Sequence, residues 1–202
     1  MNIEHIMRIA PVIPVLVLDG TLDPVALAET LVAAGLPVIE VTLRTSSALD
    51  AIGAMSAVEG AIVGAGTVLD PQKLGDAIGA GAQFIVSPGL TDGLGRAVID
   101  SGVAYLPGIA TAADIMRGLD LGLTDFKFFP AEAAGGLPAL KALAAPFPQA
   151  RFCPTGGIRA DTAADWLAHP SVVCVGGSWL VPPGETGLEA IGARARAAAQ
   201  LR

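Results

Sequence analysis

The segment Gly35-Leu-Pro-Val-Ile-Glu-Val-Thr-Leu-Arg44 contains the pattern on which the chain is built: a glycine opens a short apolar stretch, and helical spacing precedes it. The pattern recurs at intervals of about 20–25 residues, the length of one strand plus one helix. A helix ends most easily at a glycine, which adopts the left-handed conformation without strain. Each glycine is therefore predicted to separate a helix from a strand. The segments begin at Gly35, Gly60, Gly81, Gly102 and Gly122.

Eight candidate strands alternate with helical stretches, which predicts parallel pairing. Eight such units are typical of a closed (β/α)8 TIM barrel, so we expect residues 1–202 to form a single α/β barrel domain with a C-terminal helix after Gly187. An open doubly wound sheet is the alternative, although no Gly-x-Gly-x-x-Gly turn follows the first strand. The strands are predicted at 12–18, 38–44, 61–66, 84–88, 104–107, 125–129, 151–155 and 172–176.

The composition restricts the classes of function. Apolar residues make up 52% of the 202 residues, and the formal net charge of −7 argues against a general nucleic-acid binder. No apolar run is long enough to span a membrane and no secretory signal is visible, so we expect a cytoplasmic protein without a membrane partner. Cys153 and Cys174 are expected to be reduced, and whether they interact stays open. The histidines His5 and His169 stand far apart, so no metal site is expected.

Glu40 and Arg44 are predicted to point into the barrel. Side chains alternate faces along a strand, so Ile39 and Val41 pack on the helices while Glu40 points the other way. Charged groups inside a barrel are costly unless they are paired or used in chemistry. A structural ion pair without a catalytic role is the alternative interpretation.

Lys127 is predicted to share this interior, because Phe126 and Phe128 on either side of it face outward. Burial among aromatic residues disfavours the charged ammonium, and the neutral amine is the form that attacks a carbonyl carbon. With Glu40 to move protons, Lys127 predicts an enzyme that forms an iminium. The alternative is a lysine that Glu40 neutralises without any chemistry.

Two glycine pairs end the seventh and eighth strands, Gly156-Gly157 and Gly176-Gly177, and Ser178 follows the second pair. Loops after these two strands form the common phosphate site of a TIM barrel. Glycines allow backbone N–H groups to approach phosphate oxygens, and a helix starting near Asp161 would add its positive end. The two pairs therefore predict an anion site in an acidic protein.

Six motifs follow one another in order between about Pro11 and Val181. They are Glu40-Val-Thr-Leu-Arg-Thr45, Val63-Gly-Ala-Gly-Thr-Val68, Ser87-Pro-Gly89, Phe126-Lys-Phe-Phe-Pro-Ala-Glu132, Arg151-Phe-Cys-Pro-Thr-Gly-Gly-Ile158 and Gly176-Gly-Ser-Trp179. In this order they resemble the 2-keto-3-deoxy-6-phosphogluconate (KDPG) aldolase family. The resemblance implies a homotrimeric barrel and a class I aldolase that needs no cofactor. It also implies cleavage of KDPG to pyruvate and glyceraldehyde 3-phosphate, and in many members of 4-hydroxy-2-oxoglutarate to pyruvate and glyoxylate.

The resemblance also implies residue roles. Lys127 falls on the family's Schiff-base lysine and Glu40 on its acid/base carboxylate. Ala134 departs from the family's familiar asparagine. The matched substrate-binding positions are Arg44 and Thr67 for the pyruvate-end carboxylate, Pro88, Phe129 and Thr155 in the pocket, and Gly156, Gly157, Gly177 and Ser178 around the phosphate.

Three other functions stay open. The nearest is a sister aldolase that acts on the galactonate epimer of KDPG or chiefly on 4-hydroxy-2-oxoglutarate. A metal-free phosphosugar isomerase or epimerase on the same barrel would use carboxylate chemistry and need no buried lysine. A non-catalytic phosphosugar-binding protein would need neither Lys127 nor Glu40.

Overall fold

Strands and helices alternate in the computed structural model, which describes residues 1–201. Every predicted strand overlaps an observed one, and one further short strand follows Pro107, which has no N–H to donate and interrupts the ladder. The strands are β1 Val12–Leu16, β2 Val38–Thr42, β3 Ile62–Gly66, β4 Phe84–Val86, β5 Ala104–Leu106, β6 Gly108–Ile109, β7 Asp125–Phe128, β8 Arg151–Pro154 and β9 Val175–Gly177.

The predicted helix boundaries agree with the structure at most positions. The five repeat glycines all have left-handed backbones, with φ from 73° at Gly102 to 99° at Gly81. Asp70, Thr91 and Thr111 cap the helices that follow them by accepting backbone N–H groups. The helices are α1 Ile3–Ile9, α2 Pro24–Ala33, α3 Ala48–Ser56, α4 Pro71–Gly79, α5 Asp92–Ser101, α6 Ala112–Asp120, α7 Gly136–Ala144, α8 Ala163–Leu167 and α9 Leu188–Ala199.

All the paired strands run parallel, in two hydrogen-bonded sheets. The six-stranded sheet has the order β5-β4-β3-β2-β1-β9, and the three-stranded sheet has the order β6-β7-β8. Two isolated parallel bridges, Phe152 to Val172 and Thr155 to Gly176, link β8 to the segment that contains β9. The fold is therefore an α/β fold with parallel strands, as predicted.

The apolar residues form two layers, one on each face of the strands. Ile39, Val41 and Phe126 belong to the larger cluster, which includes the helices. Val38 and Cys153, which alternate with residues of that cluster along their strands, belong to a smaller cluster on the opposite face. The predicted alternation along β2 and β7 is confirmed, and it turns Glu40 and Lys127 away from the helices.

Helix α1 was not predicted, because the residues before Pro11 contain no recognisable motif. Asn2 caps it by accepting the N–H of His5 at 2.9 Å. Ile6 and Met7 are fully buried in the smaller cluster. Glu4 forms an ion pair of 3.3 Å with Arg151, the first residue of β8, so α1 lies at the amino ends of the strands.

The C-terminal helix was predicted, and α9 begins directly after Gly187 and packs against α2. Ile191, Ala195 and Ala198 form its buried face. Within residues 1–201, none of the helices combines the length and the apolar character that crossing a membrane requires.

Candidate active site

Lys127 and Glu40 come from different sheets and meet in the interior. Lys127 lies in β7 of the three-stranded sheet and Glu40 in β2 of the six-stranded sheet. Lys127 Nζ donates to Glu40 Oε1 at 2.9 Å and to Oε2 at 3.3 Å. The residues are only 6% and 3% exposed, respectively. Two buried charges in direct contact stabilise each other, whereas loss of either partner would leave the other charge buried without a partner or solvent.

Gly66 provides the space for the Glu40 carboxylate. A Cβ atom on Gly66 would lie 2.2 Å from Glu40 Oε1, far inside van der Waals contact. A glycine opposite the carboxylate is therefore required by the position of Glu40. Sequence reasoning missed this role, although Gly66 lies in one of the quoted motifs, because a glycine inside a strand indicates a close approach without naming the neighbour.

Phe129 and Thr155 lie at the carboxyl ends of β7 and β8. The ring centroid of Phe129 is 5.4 Å from Lys127 Nζ, within cation–π range. Thr155 is buried, and a Cβ on Gly176 would lie 2.2 Å from its hydroxyl oxygen. Both predicted pocket residues therefore lie next to groups of the site, Phe129 next to the amine and Thr155 next to the second glycine pair.

Pro88 reaches the site through the backbone of β6. Gly108 pairs in register with Lys127, and a Cβ on Gly108 would lie 2.3 Å from the carbonyl carbon of Pro88. Buried Ser87 stabilises the turn at Pro88. Its hydroxyl donates to Gly89 O at 2.7 Å and is 2.7 Å from the hydroxyl of Tyr105. Burial raises the pKa of Tyr105 to about 12, so it stays a neutral partner.

Arg44 and Thr67, predicted to act on one carboxylate, are in contact. Arg44 Nε donates to Thr67 Oγ1 at 3.2 Å. The prediction of a strand over 38–44 was too long: β2 ends at Thr42, and Arg44 lies exposed beyond it rather than inside. Among residues 1–201, Thr67 is the one non-glycine residue with a left-handed backbone, at φ 60°. Such a conformation costs a β-branched residue about 1–3 kcal/mol and is typical of functional positions.

A groove of about 600 Å³ joins the predicted phosphate loops to Arg44. Gly157 and Ser178 line it and are exposed, while Gly177 is buried in β9 opposite Pro14. Within the described residues 1–201, the N–H groups of Gly156, Gly157 and Ser178 donate to no backbone carbonyl. These unused donors are the groups that a bound anion requires.

The groove also contains a residue that sequence reasoning missed. Arg159 follows the first glycine pair and lines the groove together with Gly157 and Ser178. Its Nε and Nη2 donate to Asp161 at 3.0 and 3.1 Å, and these hydrogen bonds lower the pKa of the Asp161 carboxyl below its ordinary value. A basic residue one position after Gly-Gly-Ile was the available signal. Lys127 and Glu40 are not among the residues that line the groove.

The helix predicted near Asp161 exists but is short. It begins at Ala163 as α8 and has five residues. The Thr162 hydroxyl accepts the N–H of Arg159 at 3.0 Å instead of capping the helix. A helix of five residues offers a bound anion a weaker dipole than the sequence suggested.

Cys153 and Cys174 are both buried thiols in the same interior cluster, and no disulfide joins them. Cys153 Sγ is 3.9 Å from the hydroxyl oxygen of Thr155.

The sequence profile of the KDPG and KHG aldolases matches residues 3–193. A curated relative, the KHG/KDPG aldolase of Escherichia coli (strain K12), is 54% identical over 180 residues, which cover 89% of this chain and 84% of the relative.

Two solved structures extend the comparison. The KDPG aldolase of Zymomonas mobilis ZM4, crystallised with 3-phosphoglycerate, has 55% identity and a TM-score of 0.97, with coverage of 100% of this chain and 96% of that one. The KDPG aldolase of Legionella pneumophila, with pyruvate captured as a covalent carbinolamine, has 41% identity and a TM-score of 0.93, with coverage of 98% of both chains.

Proposed function

Because the chain belongs to the family of KDPG and KHG aldolases, we propose that it cleaves KDPG to pyruvate and glyceraldehyde 3-phosphate through a Schiff base on Lys127. We extend the proposal to 4-hydroxy-2-oxoglutarate, which would give pyruvate and glyoxylate. The observation that carries it is the buried contact of 2.9 Å between the Lys127 amine and the Glu40 carboxylate. The carbinolamine captured in the Legionella pneumophila relative supports the same chemistry.

Formation of the Schiff base begins with proton transfer inside the pair. Glu40 accepts a proton from the Lys127 ammonium, and the neutral amine attacks the C2 ketone. Glu40 then protonates the carbinolamine hydroxyl, which leaves as water, and the product is a protonated imine. The contacts of Nζ with both carboxylate oxygens support the first transfer, because this donor and this acceptor are within hydrogen-bond range.

Cleavage uses the imine as an electron sink. Glu40, directly or through one water, removes the proton of the C4 hydroxyl, the C3–C4 bond breaks, and its electrons form an enamine with the imine nitrogen. Glyceraldehyde 3-phosphate leaves. Protonation of the enamine carbon and hydrolysis of the imine release pyruvate and restore Lys127.

The two ends of the substrate are assigned to two sets of donors. The guanidinium of Arg44, beside the hydroxyl of Thr67, suits the carboxylate of the pyruvate end. The free amides of Gly156, Gly157 and Ser178 suit the phosphate, and Gly177, the last residue of β9, leads directly into Ser178. Pro88, Phe129 and Thr155 line the space between the ends. Binding of both ends helps to position the reacting carbons.

We also propose that the two sheets are parts of one closed (β/α)8 barrel and that the chain is a single domain. β5 and β6 are separated only by Pro107, and the bridges from Phe152 and Thr155 span the opposite gap. Strands that follow one another along the chain are neighbours, without the reversal of order that a doubly wound sheet has.

The homotrimer that the family resemblance implies stays a proposal. Light scattering on the purified protein should give about three times the chain mass of 20.3 kDa. A particle of single-chain mass would contradict it.

The experiment that tests the function is reductive trapping. The protein is incubated with pyruvate, reduced with borohydride and digested, and the peptides are analysed by mass spectrometry. We expect the adduct on the peptide that contains Lys127. Lys73 and Lys141, the other two lysines of the chain, serve as internal controls. An unmodified Lys127, or equal labelling of all three, would exclude this mechanism and favour an isomerase or a binding protein. The relative kcat/KM on KDPG and its galactonate epimer then fixes the preferred epimer.

A further inference from the structure

The groove around the phosphate loops needs a full positive charge that the loops do not provide. Backbone amides offer only partial charges, whereas a phosphate monoester carries nearly two negative charges at neutral pH. The chain itself has a formal net charge of −7, which repels such a substrate. Of the two arginines that line the groove, Arg44 is in contact with Thr67 at the carboxylate end. Arg159 is therefore the one left for the phosphate.

Two carboxylates, Asp19 and Glu185, also line the groove, and both already accept hydrogen bonds. Glu185 is engaged by Arg194 at 2.8 Å and by the N–H of Gly187 at 2.8 Å. Asp19 accepts from the N–H and the hydroxyl of Thr21. Both groove carboxylates are thus partly satisfied by their own loops, which reduces their repulsion of an entering anion.

The Arg159 guanidinium is oriented by hydrogen bonds and still has unused N–H donors. The recorded hydrogen bonds of its guanidinium use Nε and Nη2, both to Asp161, which is outside the lining of the groove. A guanidinium has five N–H donors, so Nη1 stays available. The side chain is 65% exposed, and its backbone is fixed by the hydrogen bond of its N–H to Thr162.

We propose that Arg159 is a specificity-determining residue that binds the substrate phosphate through Nη1 and so favours phosphorylated over phosphate-free 2-keto acids. This inference rests on the proposed aldolase function. The amides of the glycine loop orient the phosphate, Arg159 supplies the charge, and the hydrogen bonds with Asp161 limit the motion of the guanidinium. 4-Hydroxy-2-oxoglutarate gains less from Arg159, because Arg44 binds its first carboxylate and its second, attached directly to C4, ends short of the position that the C6 phosphate of KDPG reaches.

The test compares Arg159→Ala with the matched control Arg96→Ala, which removes the same charge from an exposed position on α5. For Arg159→Ala we expect KM for KDPG to rise about 5- to 20-fold, the loss of one exposed charge-assisted contact, while KM for 4-hydroxy-2-oxoglutarate changes less than about twofold. Arg159→Lys should recover part of the loss, because it keeps a point charge without the fork. Arg96→Ala should change neither substrate.

Equal KM changes on both substrates, or a change below about twofold on KDPG, would overturn the role of Arg159. Competitive inhibition by 3-phosphoglycerate provides a second readout, and we expect its inhibition constant to rise in parallel with KM for KDPG. Failure of the proposed function looks different, because the wild-type protein would then cleave neither substrate and would not be trapped by pyruvate. Equilibrium binding of 3-phosphoglycerate would still report on Arg159 in that case.

Discussion

Strand β7 carries two charged side chains on one face, and each takes part in an ion pair of a different kind. Asp125, at the start of the strand, accepts Arg151 Nε at 2.7 Å and Nη2 at 2.8 Å, and the Thr124 hydroxyl adds a third bond at 3.0 Å. Lys127, two residues later, shares its amine between the two oxygens of Glu40. One pair joins neighbouring strands at the amino end, and the other joins the two sheets.

The difference in chemistry lies in the cation. An arginine in a protein cannot give up its proton, and the hydrogen bonds with Asp125 raise the pKa of Arg151 further, so that pair can only hold β7, β8 and α1 together. A lysine in contact with a carboxylate can pass its proton on and become a nucleophile. In the proposed reaction, ion pairs of similar length on one strand thus separate into a structural contact and a reactive one.

Lys127→Met gives the largest expected effect, because it removes the nucleophile. We expect no measurable turnover of KDPG and no trapping with pyruvate, with circular dichroism that matches the wild type. The control is Lys141→Met, which removes an exposed lysine of α7 and should leave kcat unchanged. Retained activity in the Lys127 variant would mean that the Lys127–Glu40 pair is not reactive.

Glu40→Gln should come next. The amide keeps the shape of the carboxylate but cannot carry a proton, so kcat should fall about 10²- to 10⁴-fold, the range for a lost general acid–base group. Glu59→Gln, at an exposed position, is the matched control. A decrease in kcat of less than about tenfold would mean that Glu40, like Asp125, has a structural role only.

Gly66→Ala is expected to act on the same carboxylate by displacing it. The new Cβ would lie 2.2 Å from Oε1, so Glu40 has to move away from Nζ. Misplacement on this scale should lower kcat by about 10- to 100-fold. Gly79→Ala in α4, whose Cβ would meet nothing within 4 Å, should leave kcat as it is. Equal rates in both variants would mean that the position of Glu40 is not critical.

Asp125→Ala should have the smallest effect on turnover and a measurable one on stability. It leaves Arg151 with only Glu4 as a carboxylate partner, and because the Arg151 side chain is 30% exposed we expect a loss of about 1–3 kcal/mol in the free energy of unfolding. Urea denaturation measures this loss, and kcat per folded molecule should stay within about twofold of the wild type. A large fall in kcat with unchanged stability would reverse the assignment of the two pairs.

The parts of the fold that repeat could be predicted from the sequence. The glycine-led strands, the helix ends at the repeat glycines and the facing of Lys127 and Glu40 all follow from local rules of alternation and capping. These rules act within a few residues, so each strand-and-helix unit can be predicted separately and the repeats support one another.

The parts that depend on distant neighbours could not be predicted. The need for glycine at position 66 is set by Glu40, which lies more than twenty residues earlier, and no local pattern marks the left-handed backbone of Thr67. Helix α1 is stabilised by burial against several strands, and its seven residues carry too few positions for a periodic pattern. Arg159 was missed because its place in the groove depends on how β8 and β9 lie together.

Helix α1 has a consequence for the order in which products depart. Ile6 and Met7 fill the interior at the amino ends of the strands, so molecules enter and leave from the opposite side, where Phe129 and the phosphate loops lie. In the proposed reaction the phosphorylated aldehyde lies on that side, in front of the three-carbon fragment that stays attached to Lys127. The water that frees this fragment has to come from the same side. We therefore expect glyceraldehyde 3-phosphate to depart first and pyruvate second.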